Sequence, residues 1–406
     1  MLYNMLCKLT ATSKSGPGGL RGGLPRNLRR PSGLTRFAPE PAQEGAVTRQ
    51  GNKDKCVQAL RGVAALLVVI LHARNTLRLL HRPMGLIGVL VPDNSFGALG
   101  VDMFFVISGA VMGMALSHDL APGRFLRARF RRVVPLFWLS AIVTIALSLL
   151  LREPLPIARL ANSVTILPLF DFGAIALPMP PAGWTLAFEL YFYMIVGTAL
   201  CLPKPVRTDA VVAVLLLCAL VGALSQPIAM PMLGIALNPM LLEFALGLVA
   251  LQIARRPMVI RHAPLLVAVG MAPLLYSAFV GFSFSSAPEV AISGETSVAR
   301  VFLWGLPSAM LLAGSIARPD RLRAANLWVR LGDASYAIYL THWPVMMLLP
   351  KVWPWAGTAG SDMLCVTLIA AGTAAGFLAH LYVEQPLLAR LRQKGSATEL
   401  TSLLPA

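Results

Sequence analysis

The sequence predicts an all-α, polytopic membrane protein with about ten transmembrane helices. Three observations carry this. The 406 residues are 56% hydrophobic and only 13% charged, about half the share of charge in a soluble chain. The mean hydropathy is +0.69, more apolar material than one core can use. A soluble chain of this length would divide into cores separated by polar surface, and no such surface is available. Lastly, the apolar residues run on continuously for roughly 20 positions at a time instead of alternating, which excludes a membrane β-barrel. An ordinary soluble enzyme and a disordered chain are excluded with it.

Residues 1–55 stand apart. They carry ten Lys/Arg against three acidic residues, and GPGGLRGGLPRNLRRPSGL has no helical or strand period. Such a stretch cannot bury enough surface to order itself, and it lacks the apolar core of a secretory signal. A disordered basic cytoplasmic tail is expected, although an Arg-rich, acid-poor start also resembles a transit peptide. A membrane domain over residues 56–390 and a short cytoplasmic tail over 391–406 complete the organisation.

Ten spans are expected, at 57–79, 96–117, 133–151, 184–202, 210–225, 232–252, 264–283, 298–317, 334–350 and 362–382. With the N-terminus inside, seventeen Lys/Arg fall in the inner loops and seven, Arg300 among them, on the outer side. The positive-inside rule therefore places both termini in the cytoplasm. Trp184, Trp353 and Trp355 fall at the expected outer boundary as interfacial anchors. The net charge of +17 reflects basic cytoplasmic loops and not a nucleic-acid partner. The five cysteines are scattered without a CxxC pair, so neither a zinc site nor a disulfide framework is indicated.

Ionisable groups inside spans are costly and mark function by default. Here they are Arg61, His72, Asp102, Glu189, Glu243, His342 and His380. In QALRGVAALLVVILHARN, Arg61 and His72 lie eleven residues apart, about 16 Å along one helix face. A snorkelling arginine and a structural histidine would explain them. A general base would explain His72 as well. Glu189 in GWTLAFELYFY either orients helices or serves chemistry. Ser335, Tyr336, Tyr339 and His342 form a polar stripe that commonly reflects interhelical hydrogen bonding. Asp102 reads as structural, beside Ser108 and Gly109, which permit close packing. Glu243 and His380 have no supporting context.

The segment RFLRARFRRVVPLFW places five arginines within nine residues. Positive-inside topology explains some of them, but not their position against a Pro-started helix. Arg129 and Arg132 share a helix face, and guanidinium forks suit phosphate oxygens. Coenzyme A thioesters, nucleotide sugars and anionic headgroups all fit.

Six strings in order, LRGVAALLVVILH (60–72), GVDMFFVISG (100–109), RFRRVVPLFW (129–138), WTLAFELYFY (184–193), SYAIYLTHWP (335–344) and VEQP (383–386), resemble the acyltransferase 3 family of integral membrane acyltransferases. That family includes O-acetyltransferases of bacterial exopolysaccharide, O-antigen and nodulation factor. The resemblance implies transfer of an acyl group, usually acetyl, from acyl-CoA as co-substrate to a hydroxyl of a cell-surface or lipid-linked glycan, in the bacterial inner membrane. No bound cofactor or metal is implied. His72 matches the family's first-span histidine and Arg61 its companion. Arg129 and Arg132 match its Arg-x-x-Arg, associated with donor binding, and Glu189 its Trp-Ser/Thr-Leu-x-x-Glu. Ala128 departs from the many members that carry another arginine there.

On this resemblance His72 and Glu189 are the expected catalytic pair, and Arg61, Arg129 and Arg132 the donor-binding set. Asp102, Ser335, Tyr336 and His342 are possible polar lining. The chain is too short for the secreted hydrolase-like domain of some members, so transfer is expected within the membrane domain or with a separate partner. The rival reading is a proton-coupled exporter of a glycan or lipid intermediate, with His72 and Glu189 as a relay. It predicts flux driven by a proton gradient and no need for CoA. A membrane scaffold would have no reason to keep His72, Arg129, Arg132 and Glu189.

Overall fold

The computed structural model describes residues 41–87, 95–167, 175–279, 285, 287–318 and 326–391, with side chains described from Lys55 onward. Most of the expected N-terminal tail, at 1–40, and the C-terminal tail from 392 lie outside the described residues.

The described chain is built of helices, with no strand element among them. In order these are α1 (Pro41–Leu79), α2 (Leu99–Leu116), α3 (Pro122–Leu150), α4 (Ile157–Thr165), α5 (Trp184–Ala199), α6 (Lys204–Ser225), α7 (Pro231–Ala236) and α8 (Leu241–Ile253). They continue with α9 (Pro257–Phe279), α10 (Pro288–Ser293), α11 (Ser297–Arg300), α12 (Leu306–Ala317), α13 (Asn326–Asp333), α14 (Ser335–Val352) and α15 (Gly357–Ala379). Proline at the first turn starts α3, α6, α7 and α10, where its missing N–H costs nothing.

Eight helical segments are long and apolar enough to cross a membrane: Lys55–Leu79, Phe96–Leu116, Pro122–Leu150, Lys204–Ser225, Pro231–Ile253, Pro257–Phe279, Ser297–Ala317 and Gly357–Leu391. They coincide with eight of the ten expected spans. The other two are helices that fall short of that standard. α5 has only 16 residues, and α14 carries its polar stripe and two internal prolines. The first helix also reaches back to Pro41, so the expected tail boundary at residue 55 lies inside it.

Helix α1 is the hub. It packs on α2, α12, α13, α14 and α15. Helix α2 is buried along most of its length and lies close against α8. A Cβ on Gly109 would run into the Phe244 carbonyl, and one on Gly247 into the Val106 carbonyl. Glycine at both positions is what lets the two backbones touch. Phe244 then stacks between Phe105 (centroids 4.6 Å) and Phe192 (4.3 Å). Leu149, Leu217, Leu224, Leu265, Phe302 and Met363 are exposed on the perimeter, as a lipid-facing surface requires.

Candidate functional site

A cavity of about 80 Å³ opens among α1, α2, α3, α5 and α14. Arg61, Ser108, Arg129, Arg132, Glu189, Tyr193, Ser335, Tyr336 and Tyr339 supply its polar groups, and Phe104, Phe105 and Val133 part of its apolar wall. Six of the nine expected site residues thus line one space.

Local structure explains each placement. The first turns of α3 present Arg129 and Arg132 on the inward face. Arg129 is buried at 2% exposure, while Arg124, Arg127 and Arg131 on the same turns are exposed. The guanidinium of Arg129 lies over the rings of Phe125 (5.3 Å) and Tyr193 (5.9 Å), and its Nε has no hydrogen-bond partner among the described residues. The five-arginine run thus divides into two residues facing the cavity and three facing outward.

Two anchors from α14 hold α3 in place. Tyr336 donates to the Val133 carbonyl at 2.7 Å, and Ser140 donates to the Leu340 carbonyl at 3.0 Å. Arg61 Nε donates to Ser335 Oγ at 3.2 Å, which joins α1 to the start of α14. Arg61, Arg132 and Glu189 are close enough to interact electrostatically. On α5, Tyr193 donates to Glu189 Oε1, and Ser108 approaches the same oxygen at 3.5 Å.

The start of α5 overturns one expectation. Trp184 is buried at 7% exposure and packs edge-on against Phe188 at 5.8 Å, so it is not an interfacial anchor. The buried turn Pro181–Gly183 precedes it. Tyr339 donates to the Ala182 carbonyl at 2.8 Å and pairs with Thr185 Oγ1 at 2.8 Å. Tyr339 is only one turn, about 6 Å, beyond Ser335. The chain therefore enters α5 beside the arginine-bearing end, and Glu189 shares a cavity with Arg129. Trp353 and Trp355 pack on each other at 4.9 Å, with Trp355 exposed.

His72 and His342 lie above this cavity with ring centroids 4.9 Å apart. His342 is also 6.3 Å from the Tyr339 ring, and His72 meets Trp343 edge-on at 5.3 Å. Each histidine Nδ1 points at the carbonyl four residues earlier, Val68 at 2.9 Å and Ile338 at 3.0 Å. A carbonyl only accepts, so Nδ1 carries the proton in both and Nε2 presents its lone pair. His342 Nε2 is buried without a partner among the described residues.

Asp102 is not cavity lining. It faces Arg300, which donates from Nε to Oδ1 at 3.2 Å and from Nη2 to Oδ2 at 2.7 Å. Both groups are buried. Glu243 is buried beside them, close against Gly305. Sequence reasoning counted Arg300 as an outer-loop charge. The missed signal was Asp102 itself, since an intramembrane carboxylate needs a cation. His380 pairs with Glu384 at 2.6 Å, and Gln385 donates from Nε2 to His380 Nε2 at 2.9 Å. These two partners were also missed. Among the described residues no group of three or more His, Cys, Asp or Glu is arranged to hold a metal ion.

The family model described as an acyltransferase domain matches residues 54–381. The exopolysaccharide production protein ExoZ of Rhizobium meliloti (strain 1021) is 30% identical over 310 residues, 74% of this chain and 92% of the relative. Acyltransferase MdmB of Streptomyces mycarofaciens is 27% identical over 380 residues, 84% and 94% of the two chains. Protein 2 in the picA locus of Rhizobium radiobacter is 35% identical over 89 residues, 21% of this chain and 40% of the relative. No solved structure matches.

Proposed function

The chain belongs to the acyltransferase 3 family, and from that premise we propose that it moves an acyl group, acetyl in the first instance, from cytoplasmic acyl-CoA to a hydroxyl of a cell-surface or lipid-linked glycan. The observation that carries the donor assignment is the division of the arginine run. Arg129 and Arg132 turn into the cavity, and Arg129 is buried with its Nε unmatched. A buried N–H without an acceptor is costly, and a phosphate oxygen of an incoming ligand satisfies it. Arg61 completes the cationic set. The name of the ExoZ relative supports a glycan acceptor. With the buried Arg300 set aside, the excess of Lys/Arg in the expected inner loops still supports a cytoplasmic donor side, cytoplasmic termini and a location in the bacterial inner membrane.

In the proposed step His72 Nε2 takes the proton of the acceptor hydroxyl. The hydroxyl oxygen attacks the thioester carbonyl, a C–O bond forms and the C–S bond breaks. The proton passes from His72 to the leaving thiolate, which departs as CoA thiol. The bond from Nδ1 to the Val68 carbonyl keeps His72 in the tautomer this requires. Glu189, tied to Tyr193 and Ser108, orients the donor-side groups.

The test is purified protein in lipid nanodiscs with radiolabelled acetyl-CoA, scoring donor binding, CoA release and acetyl transfer. The expected result is turnover lost in His72→Ala, and donor binding lost in the Arg129→Ala/Arg132→Ala double variant. A wild-type protein that neither binds nor cleaves acyl-CoA of any length, while supporting proton-driven flux in vesicles, overturns the proposal in favour of the exporter.

A further inference from the structure

A second cavity, of about 250 Å³, lies on the far side of the histidines from the arginine-lined one. Its polar lining is Thr76, Ser148, Glu153, Arg159 and Lys351, and its ring is Trp343. The position follows from the helices. Thr76 is one turn beyond His72 on α1 and donates to the His72 carbonyl at 2.8 Å. Trp343 follows His342 on α14 and meets the His72 ring edge-on at 5.3 Å. Neighbours of the paired imidazoles thus line both cavities, Tyr339 the first and Thr76 and Trp343 the second.

The lining has the makeup of a sugar site. An indole supplies a flat apolar face for a pyranose ring, while Thr76, Ser148 and Glu153 supply hydroxyl partners. The lining carries two cations and one carboxylate, Glu153, with Glu289 also in electrostatic range of Arg159. Lys351 and Glu153 are 4.0 Å apart, a loose and half-exposed pair. Arg159 is half-buried, and its Nε donates to the Leu177 carbonyl at 3.3 Å. Helix α4 is itself fixed to the entering segment, with Asn162 donating to the Ala176 carbonyl at 2.6 Å and Met179 N–H to Ser163 Oγ at 2.7 Å. The arginine is held at the cavity by a braced helix and not by a free loop.

We propose that this second cavity binds the acceptor, and that the acceptor is a glycan bearing an anionic group, a carboxylate or a phosphate, held by Arg159 and Lys351 while a neighbouring sugar stacks on Trp343 beside His72. The proposal rests on the acyltransferase reading of the first cavity and adds the chemistry of what that reaction acylates. The two sources of negative charge, a uronic acid within the glycan and a phosphate at its reducing end, present the same oxygen cluster.

The experiment is ligand-observed saturation-transfer NMR on the full chain in nanodiscs. Three probes are compared: tetraglucuronate, maltotetraose 1-phosphate and unmodified maltotetraose. At least one anionic probe is expected to bind about tenfold more tightly than the neutral one, the size of a charge-assisted contact. The advantage is expected to fall away in Arg159→Gln/Lys351→Gln, while maltotetraose binding changes little. Preference for tetraglucuronate assigns the charge to the glycan, and preference for the 1-phosphate assigns it to the reducing end. Equal binding of all three probes, or an advantage that survives the double variant, overturns the proposal. Cleavage of radiolabelled acetyl-CoA in the same preparation separates the two failures. Cleavage without anion preference sinks only this inference, and absence of cleavage with acyl-CoA of any length, together with proton-driven flux, sinks the acyltransferase reading beneath it.

Discussion

His72 on α1 and His342 on α14 bring their imidazoles to 4.9 Å, each with its Nδ1 proton committed to a carbonyl one turn back. Two like bases therefore lie side by side, with Tyr339 of the first cavity and Trp343 of the second as their neighbours. On the proposed roles, His72→Ala lowers turnover by about 10²–10⁴-fold, the range for loss of a general base. His342→Phe, which keeps a ring in the stack, costs less. Steady-state kinetics with acetyl-CoA check the order, and a larger loss in the His342 variant would transfer the base role to that residue.

Arginines on consecutive turns of α3 differ in what they face. Arg129→Ala is expected to weaken acetyl-CoA binding by about tenfold or more, as loss of a charged hydrogen-bond donor does. Arg131→Ala, at an exposed position, leaves it unchanged. Equilibrium binding of labelled donor decides this, and equal effects would mean that the arginine run acts only through its summed charge.

The Asp102–Arg300 pair is buried on both sides. Removing one partner leaves a lone charge inside the protein, so Asp102→Leu and Arg300→Met each cost about 3–5 kcal/mol. The double variant recovers most of that loss. Thermal unfolding in detergent micelles should show two destabilised single variants and a near-normal double variant. Additive losses would rule out the pair as a unit.

Helices α2 and α8 meet at Gly109 and Gly247. Gly109→Leu forces the backbones apart, at about 1–3 kcal/mol for overpacking, and disturbs Phe105 in the cavity wall. A lower unfolding temperature together with weakened donor binding is expected. A drop in neither would mean that α8 can move without cost.

At the turn between α2 and α3, Asp119 bonds Lys204 at 2.6 Å. That hydrogen bond holds the Asp119 carboxyl below its ordinary range. Its contribution is present above the unfolded-state pKa and is lost as pH falls through the lower folded-state value. Full exposure keeps the effect small. Carbon-detected NMR of the carboxyl should give a midpoint below that of a free aspartate, and Lys204→Ala should restore the ordinary value.

Much of the site was legible because its signals are local. Arg129 and Arg132 share a face by spacing alone, and Ser335, Tyr336, Tyr339 and His342 announce themselves as a stripe. What escaped was set by distant pairing. Arg300 looked like a loop charge because its partner is 198 positions away in the chain. Trp184 looked like an interfacial anchor because composition marks where apolar sequence begins and not how deep it begins. Glu384 was hidden at the end of the last span, where a carboxylate reads as a boundary until His380 is seen against it.

The depth at which α5 begins also bears on how the protein is made. Its 16 residues rise about 24 Å, short of the roughly 30 Å hydrocarbon layer. The segment cannot leave the insertion machinery for lipid as an independent span. Its Pro181–Gly183 lead-in has a local bond from Thr185 to the Ala182 carbonyl at 3.3 Å, and gains its shorter one when Tyr339, made more than a hundred and fifty residues later, reaches the same oxygen. The wall that carries Glu189 is thus completed from the C-terminal half, so translation must pass α14 before the cavity closes.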